Sequence, residues 1–358
     1  MEKKTQRYVV DPERIAAGEA QDALDRAAAL LRTGGLVALP TETVYGLGAN
    51  ALDEHAVMRI FAAKQRPSWD PVIVHVAPLA NLGDMLDGLI EPMAKDAPAR
   101  QLMEAFWPGP LTLLLPRTDA VPDAVTAGRP LVGVRMPAHP VALELIRRAE
   151  VPVAAPSANL FGHISPTTAD HVLADLDGRI DAVVDAGATG FGVESTVLDP
   201  CQTPMVIYRP GAVTEEQIRE VAGDVLLYRE AGVIQEPEKP LPSPGVGLRH
   251  YAPRARLITV EGAPGEVEKR LVVMAREWSQ GRVGIMLPRG WNLPAGAEGV
   301  QVAEWGRWGE PQELAQSLYG CLRALDAQGC SLILCPLPPE GGIGTAIRDR
   351  LRKASRAK

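Results

Sequence analysis

The chain has 358 residues, of which 46% are hydrophobic and 23% charged. At roughly 150 residues per domain this suggests two globular domains, and the composition excludes a disordered or collagen-like chain. The net charge of −7 excludes a molecule that attracts polyanions as a whole.

No apolar run approaches the ~18 residues of a membrane span, and the N-terminus MEKKTQRYVVDPER lacks the apolar stretch of a signal peptide. Four cysteines cannot form a small disulfide framework, so the expected location is the reducing cytoplasm. Charge is uneven. From Arg256 onward there are 14 basic and 11 acidic residues, leaving 23 and 33 before it. An anion site in the first part must therefore be a local cluster working against its background.

In chain order, ALDRAAALLRTGG (23–35) reads as a helix stopped by Gly34 and Gly35. LVALPTETVY (36–45) reads as extended and DEHAVMRIFAAK (53–64) as a second helix. Strand-like runs follow: PVIVHVA (71–77), LTLLLPR (111–117), LVGVRMP (131–137), VPVAAPS (151–157), AVVDAG (182–187), STVLD (195–199) and MVIYRPG (205–211). Their Val, Ile and Leu content fits buried strands of an α/β sheet. Several end in polar residues: Arg117, Arg135, Ser157 with Asn159, Asp185 and Arg209. Ligands of α/β sheets sit outside the carboxyl ends of strands.

Composition shifts near residue 250. All four Phe and all six His lie at or before it, and four of six Trp after it. Residues 224–255, with Pro237, Pro240, Pro242, Pro244 and Pro253, read as a stiff linker. It ends in the basic and aromatic segment Leu248-Arg249-His250-Tyr251-Ala252-Pro253, which suggests contact with something. The remainder alternates strands at 255–262, 282–288, 300–305 and 331–338 with helices at 264–281, 311–329 and 342–355, a small, mainly parallel sheet.

There is no P-loop, H-E-x-x-H, C-x-x-C or G-x-S-x-G. Cys330 and Cys335 read as buried apolar residues rather than zinc ligands. Gly46-Leu-Gly48-Ala-Asn-Ala51 fits a dinucleotide fingerprint or, more plainly, a tight turn into a helix. Lys64 and Arg66 close a helix, as dipole-compensating charges or as a cation pair for phosphates. His75 sits inside an apolar strand, as a core residue or a contact for a polar ligand. Arg135 and Arg209 lie in Val- and Ile-bearing strands, and a buried guanidinium needs an anion or several acceptors. Ser157, Asn159, Ser165 and Ser195 are loop formers or ligand donors. Together Lys64, Arg66, Arg135 and Arg209, with hydroxyls, a histidine and little opposing carboxylate, suit a pocket for phosphoryl or nucleotidyl transfer.

PTETVYGLGANA, KQRPSWDPVIVHV, FWPGPLTLLLP, VGVRMPAHP, PVAAPSAN, FGVESTV and YRPG resemble the YrdC-like catalytic domain of the threonylcarbamoyl-AMP synthases, from about residue 12 to 220. The linker and C-terminal unit resemble the long, two-domain form. The resemblance implies a YrdC-like domain over 12–223 with a twisted α/β sheet around a large cavity, a linker over the cavity mouth at 224–255, and a Rossmann-like domain over 256–353.

It also implies a nucleotidyltransferase that converts L-threonine, bicarbonate and ATP to threonylcarbamoyl-AMP and pyrophosphate. This is the first step toward threonylcarbamoyladenosine at tRNA position 37, and the product would pass to a tRNA threonylcarbamoyl-transferase complex. Residues implied for threonine are Thr43, His75, Arg135, Ser195 and the backbone near Ala155. Those implied for ATP are Lys64, Arg66, Ser157, Asn159, Ser165, Arg209 and Tyr251, with Lys64 and Arg66 as the catalytic pair. Asp70 stands where relatives have Asn, and is expected to face the ribose or a metal-bound water. Leu131 stands where relatives have Thr, so a contact there would use its backbone. Mg²⁺ is expected on the ATP phosphates without a cage of protein ligands.

Rival readings are a dinucleotide oxidoreductase, an RNA-binding module, and a carbamoyltransferase domain of the hydrogenase-maturation type, whose C-x-x-C pairs are absent. The six basic residues from Arg348 to Lys358 read as a solvated helix end, with a weak tRNA contact as the alternative.

Overall fold

Short runs of β-branched and leucine side chains become the strands of a large mixed sheet in the computed structural model, which describes residues 4–78, 85–92, 98–228, 243, 246 and 250–356. The chain forms two units. Arg249–Lys358 makes up the second, together with Gly162–Ile164 and Phe191–Val193, and the rest makes up the first.

The strands of the first unit are β1 (Gln6–Val9), β2 (Val37–Leu39), β3 (Gly46–Asn50), β4 (Ile73–His75), β5 (Leu111–Pro116), β6 (Leu131–Arg135), β7 (Val153–Ala154), β8 (Ala182–Asp185), β9 (Thr196–Asp199), β10 (Met205–Arg209) and β11 (Val225–Leu227). They form one sheet in the order β1-β8-β2-β3-β7-β4-β6-β5-β9-β10-β11. β4 runs parallel to β6 and β5 to β9, while β5 and β6 are antiparallel. All seven strand-like runs contain one of these strands. β11 lies in the stretch read as linker and is parallel to β10; three residues are too few for a period to show. Most of the remaining linker reading, including Leu248 and Arg249, falls outside the described residues.

Helix Glu54–Lys64 begins at Asp53, whose carboxylate accepts from the His55 and Ala56 amides, and stops at Gln65 in the left-handed region, φ 54°. That stop delivers Lys64 and Arg66 beside one another. Helices Gly18–Arg32 and Pro140–Ala149 bury Leu24, Leu31, Leu145 and Ile146 in the core around the sheet.

The Gly46-x-Gly48 segment is neither a fingerprint nor a turn into a helix. It is β3, antiparallel to both β2 and β7. A Cβ on Gly48 would come within 2.8 Å of Leu39 and Val153 side chains, so glycine there permits close strand packing rather than phosphate approach.

The second unit holds a parallel sheet ordered β12-β15-β13-β14, from β12 (Arg256–Val260), β13 (Val283–Arg289), β14 (Gln301–Arg307) and β15 (Leu332–Pro336). Helices Pro264–Glu277, Pro311–Ala327 and Ile343–Ala354 separate or follow these strands, as expected. The C-terminal basic run is not a solvated end: Arg348, Arg350 and Lys353 are buried. Arg348 pairs with Glu261 at 2.6 Å, and Asp349 pairs with Arg350 at 2.6 Å and Lys353 at 2.9 Å. A basic run whose charges meet carboxylates can be buried; spacing alone does not reveal those partners.

Candidate active site

The sheet register places expected residues on neighbouring strands or just before them. His75 of β4 stands opposite Arg135 of β6, and Thr112 of β5 opposite Val197 of β9, two residues beyond Ser195. Arg135 is 3% exposed. Its Nε donates to the Gly109 carbonyl at 3.1 Å and its Nη1 to Thr43 Oγ1 at 3.0 Å, while Nη2 lies 2.6 Å from Glu42 Oε1. Arg209, also buried, donates from Nε to the Ser195 carbonyl at 3.1 Å and from Nη2 to Ser195 Oγ at 3.0 Å. Ser195 Oγ is 2.9 Å from Thr112 Oγ1. Burial, then the charge of Arg135, pushes the His75 pKa down to about 3, so this ring is neutral at pH 7.

A second group forms where helix Glu54–Lys64 ends. Lys64 is almost wholly buried and donates from Nζ to the carbonyls of Ser157 and Asn159, both at 2.5 Å. Burial, then Arg66, holds its pKa well below 10.5, with Asp70 and Asp175 opposing. Arg66 donates to the carbonyls of Asp70 (3.1 Å) and Pro71 (2.7 Å) and pairs with the Asp70 carboxylate at 2.9 Å. Its guanidinium lies 6.0 Å from the Phe161 ring centroid. Asn159 Nδ2 donates to the Leu160 carbonyl at 2.8 Å.

Backbone bonds join the groups. The Ala155 amide donates to Ile73 of β4, Leu47 to Pro156, Ala158 to Tyr45, and Phe161 to the Lys64 carbonyl. Residues 155–161 are thus stitched to the Thr43 loop, to the His75 strand and to the cationic helix end. Ser165 Oγ donates to Glu194 Oε1 at 2.5 Å.

The expectation of little opposing carboxylate is corrected. Glu42 faces Arg135, Asp70 faces Arg66, and Glu194 accepts from Ser165. A guanidinium removed from water is costly without an anion or several acceptors, so Arg135 and Arg66 each bring a carboxylate, and Arg209 is met by the Ser195 carbonyl and hydroxyl. Asp70 is fully buried as the partner of Arg66, rather than directed at a ribose or a metal-bound water. Two polar strand ends lie elsewhere: Arg117 pairs with Asp123, and Asp185 with Arg7.

Glu42, Thr112 and Glu194 were not singled out from the sequence. The one signal available was the demand of a buried Arg135 for an acceptor. Tyr251 belongs to the second unit. It is buried there with φ 62°, its ring stacked on Tyr319 at 5.9 Å and 5.1 Å from the Arg350 guanidinium.

Buried cations engaged by carboxylates and carbonyls are joined through one backbone segment, a donor set whose chemistry suits anionic ligands. No thiolate nucleophile competes, since burial raises the pKa of all four cysteines.

Residues 29–211 match the Sua5/YciO/YrdC family, described as telomere recombination, and residues 213–356 match the threonylcarbamoyl-AMP synthase C-terminal domain. The chain is 44% identical to the threonylcarbamoyl-AMP synthase of Bacillus subtilis, over 98% of both chains. It is 42% identical to that of Pyrococcus abyssi, over 92% of this chain and 93% of the other. The crystal structure of P. abyssi Sua5 complexed with L-threonine superposes with a TM-score of 0.87 at 39% identity, covering 98% of each chain. With both domains matched and full-length relatives above 40% identity, the chain belongs to the threonylcarbamoyl-AMP synthase family.

Proposed function

We infer that the chain joins L-threonine, bicarbonate and ATP into threonylcarbamoyl-AMP, releasing pyrophosphate. The observation that carries this is the stitching of an arginine cluster suited to a carboxylate, around Arg135, to a cationic helix end suited to a triphosphate, at Lys64 and Arg66. Kinship with P. abyssi Sua5, whose structure holds L-threonine, supports threonine as the amino acid.

In this reading Arg135 takes the threonine carboxylate, and Thr43, the neutral His75, Ser195 and the Ala155 backbone surround the rest. Lys64, Arg66, Ser157, Asn159, Ser165 and Arg209 serve ATP. The threonine ammonium gives up a proton to solvent, and the free amine takes up the carbon of bicarbonate to give a carbamate and water. A carbamate oxygen then attacks the α-phosphorus in line, and the bond to the bridging oxygen breaks, leaving as pyrophosphate. Lys64 and Arg66 offset the charge that builds on the leaving group.

Among the described residues no three His, Cys, Asp or Glu side chains converge as a metal site, and Asp70 is committed to Arg66. That donor set fits Mg²⁺ carried by ATP oxygens, where it would draw charge from the triphosphate. The mixed anhydride formed is labile in water, which calls for a downstream transferase that moves the threonylcarbamoyl group onto tRNA. Among the described residues no helix is long and apolar enough to cross a membrane.

The test is pyrophosphate release with each substrate omitted in turn. Release that requires threonine, bicarbonate and ATP together is expected. Release at the full rate without threonine or bicarbonate would contradict the reading.

A further inference from the structure

We propose that Glu42 accepts the ammonium group of the amino-acid substrate and so makes the site selective for a free α-amine. The proposal deepens the threonine reading and rests on Arg135 holding the substrate carboxylate.

Glu42 is 8% exposed. Apart from its ion pair with Arg135, neither carboxylate oxygen accepts a hydrogen bond among the described residues. An ionised carboxylate offers about four acceptor positions, so most of its capacity is unused. Its place is held by the turn beneath it. Thr41 Oγ1 donates to the Val44 carbonyl at 2.6 Å and receives the amides of Thr43 and Val44, both at 3.2 Å. Thr43 Oγ1, 2.8 Å from Thr41 Oγ1, accepts from Arg135. The carboxylate therefore sits on a braced turn and faces the arginine at the end of β6.

A free α-amino acid carries a carboxylate and an ammonium joined by one carbon. When its carboxylate takes the fork of Arg135, the site has gained an anion, and the ammonium arrives beside Glu42 as its second cation. The charges then alternate, guanidinium, substrate carboxylate, substrate ammonium, Glu42, and none is left buried alone.

Glu42 as a mere counter-ion to Arg135 makes the opposite forecast. Its loss would then free the guanidinium and tighten any carboxylate ligand, amine or not.

Calorimetric titration of the full-length protein with L-threonine and with 3-hydroxybutyrate, which lacks the amine, separates the two. Glu42→Gln is expected to weaken threonine roughly 10- to 100-fold, with 3-hydroxybutyrate unchanged or tighter and ATP binding unchanged. Tighter binding of both carboxylates, or unaltered threonine affinity, overturns the proposal. Should Glu42→Gln not fold, Glu42→Asp keeps the charge but withdraws it by one methylene. It should lose threonine affinity while 3-hydroxybutyrate holds, and equal retention of both overturns the proposal. Wild-type protein that binds 3-hydroxybutyrate as tightly as threonine also overturns it. Failure of wild type to bind threonine at all overturns the underlying threonine reading as well.

Discussion

Replacing Lys64 with alanine is expected to lower pyrophosphate release by about 100- to 1,000-fold, the usual cost of removing one preorganised donor from a developing anion. The ammonium is almost wholly buried and held by two carbonyls on the segment that also carries Ser157 and Asn159. Its loss removes positive charge from the triphosphate site and leaves those carbonyls unpaired, at a cost of roughly 1–3 kcal/mol each in stability. Lys64→Met keeps the apolar stem and separates the effects: it should recover part of the stability and none of the turnover. Turnover of Lys64→Ala within threefold of wild type at saturating ATP would remove Lys64 from the account.

Arg135→Ala should weaken threonine by at least about 30-fold, as expected when one partner of a buried charge pair is truncated, and ATP by less than threefold. It also strands Glu42, a buried carboxylate left without its guanidinium, which destabilises the fold by about 3–5 kcal/mol. The double variant Arg135→Ala with Glu42→Gln should regain stability without regaining threonine. Lysine at position 135 should not restore affinity, because one ammonium cannot reproduce a fork that reaches Gly109, Thr43 and Glu42 at once. Calorimetry with each ligand decides it, and equal losses for threonine and ATP would mean Arg135 serves the fold rather than the amino acid.

Much of this architecture is legible in the residues. Runs of five to seven letters each contain a strand, and Asp53 caps the helix that ends in Lys64. Arg135 in a Val-rich strand announces a buried cation, and the ordered motifs carry the family resemblance.

What stays hidden is whatever depends on pairing across long stretches of chain. Glu42 meets Arg135 and Thr112 meets Ser195 across 93 and 83 residues, and no local period records either contact. Gly46 and Gly48 misled because a glycine pair that permits a turn also permits close strand packing; only the neighbours Leu39 and Val153 decide. The C-terminal basic run misled for a related reason, since Glu261, 87 residues from Arg348, turns an apparently solvated charge into a buried one.

The central claim is that one cradle holds the amino acid and the nucleotide so that the carbamate faces the α-phosphorus. A crystal structure with L-threonine and a non-hydrolysable ATP analogue tests it most directly. The account predicts the threonine carboxylate on Arg135 and the phosphates within hydrogen-bond reach of Lys64 and Arg66. Both ligands ordered elsewhere, with the Arg135–Glu42 and Arg66–Asp70 pairs undisturbed, would contradict it.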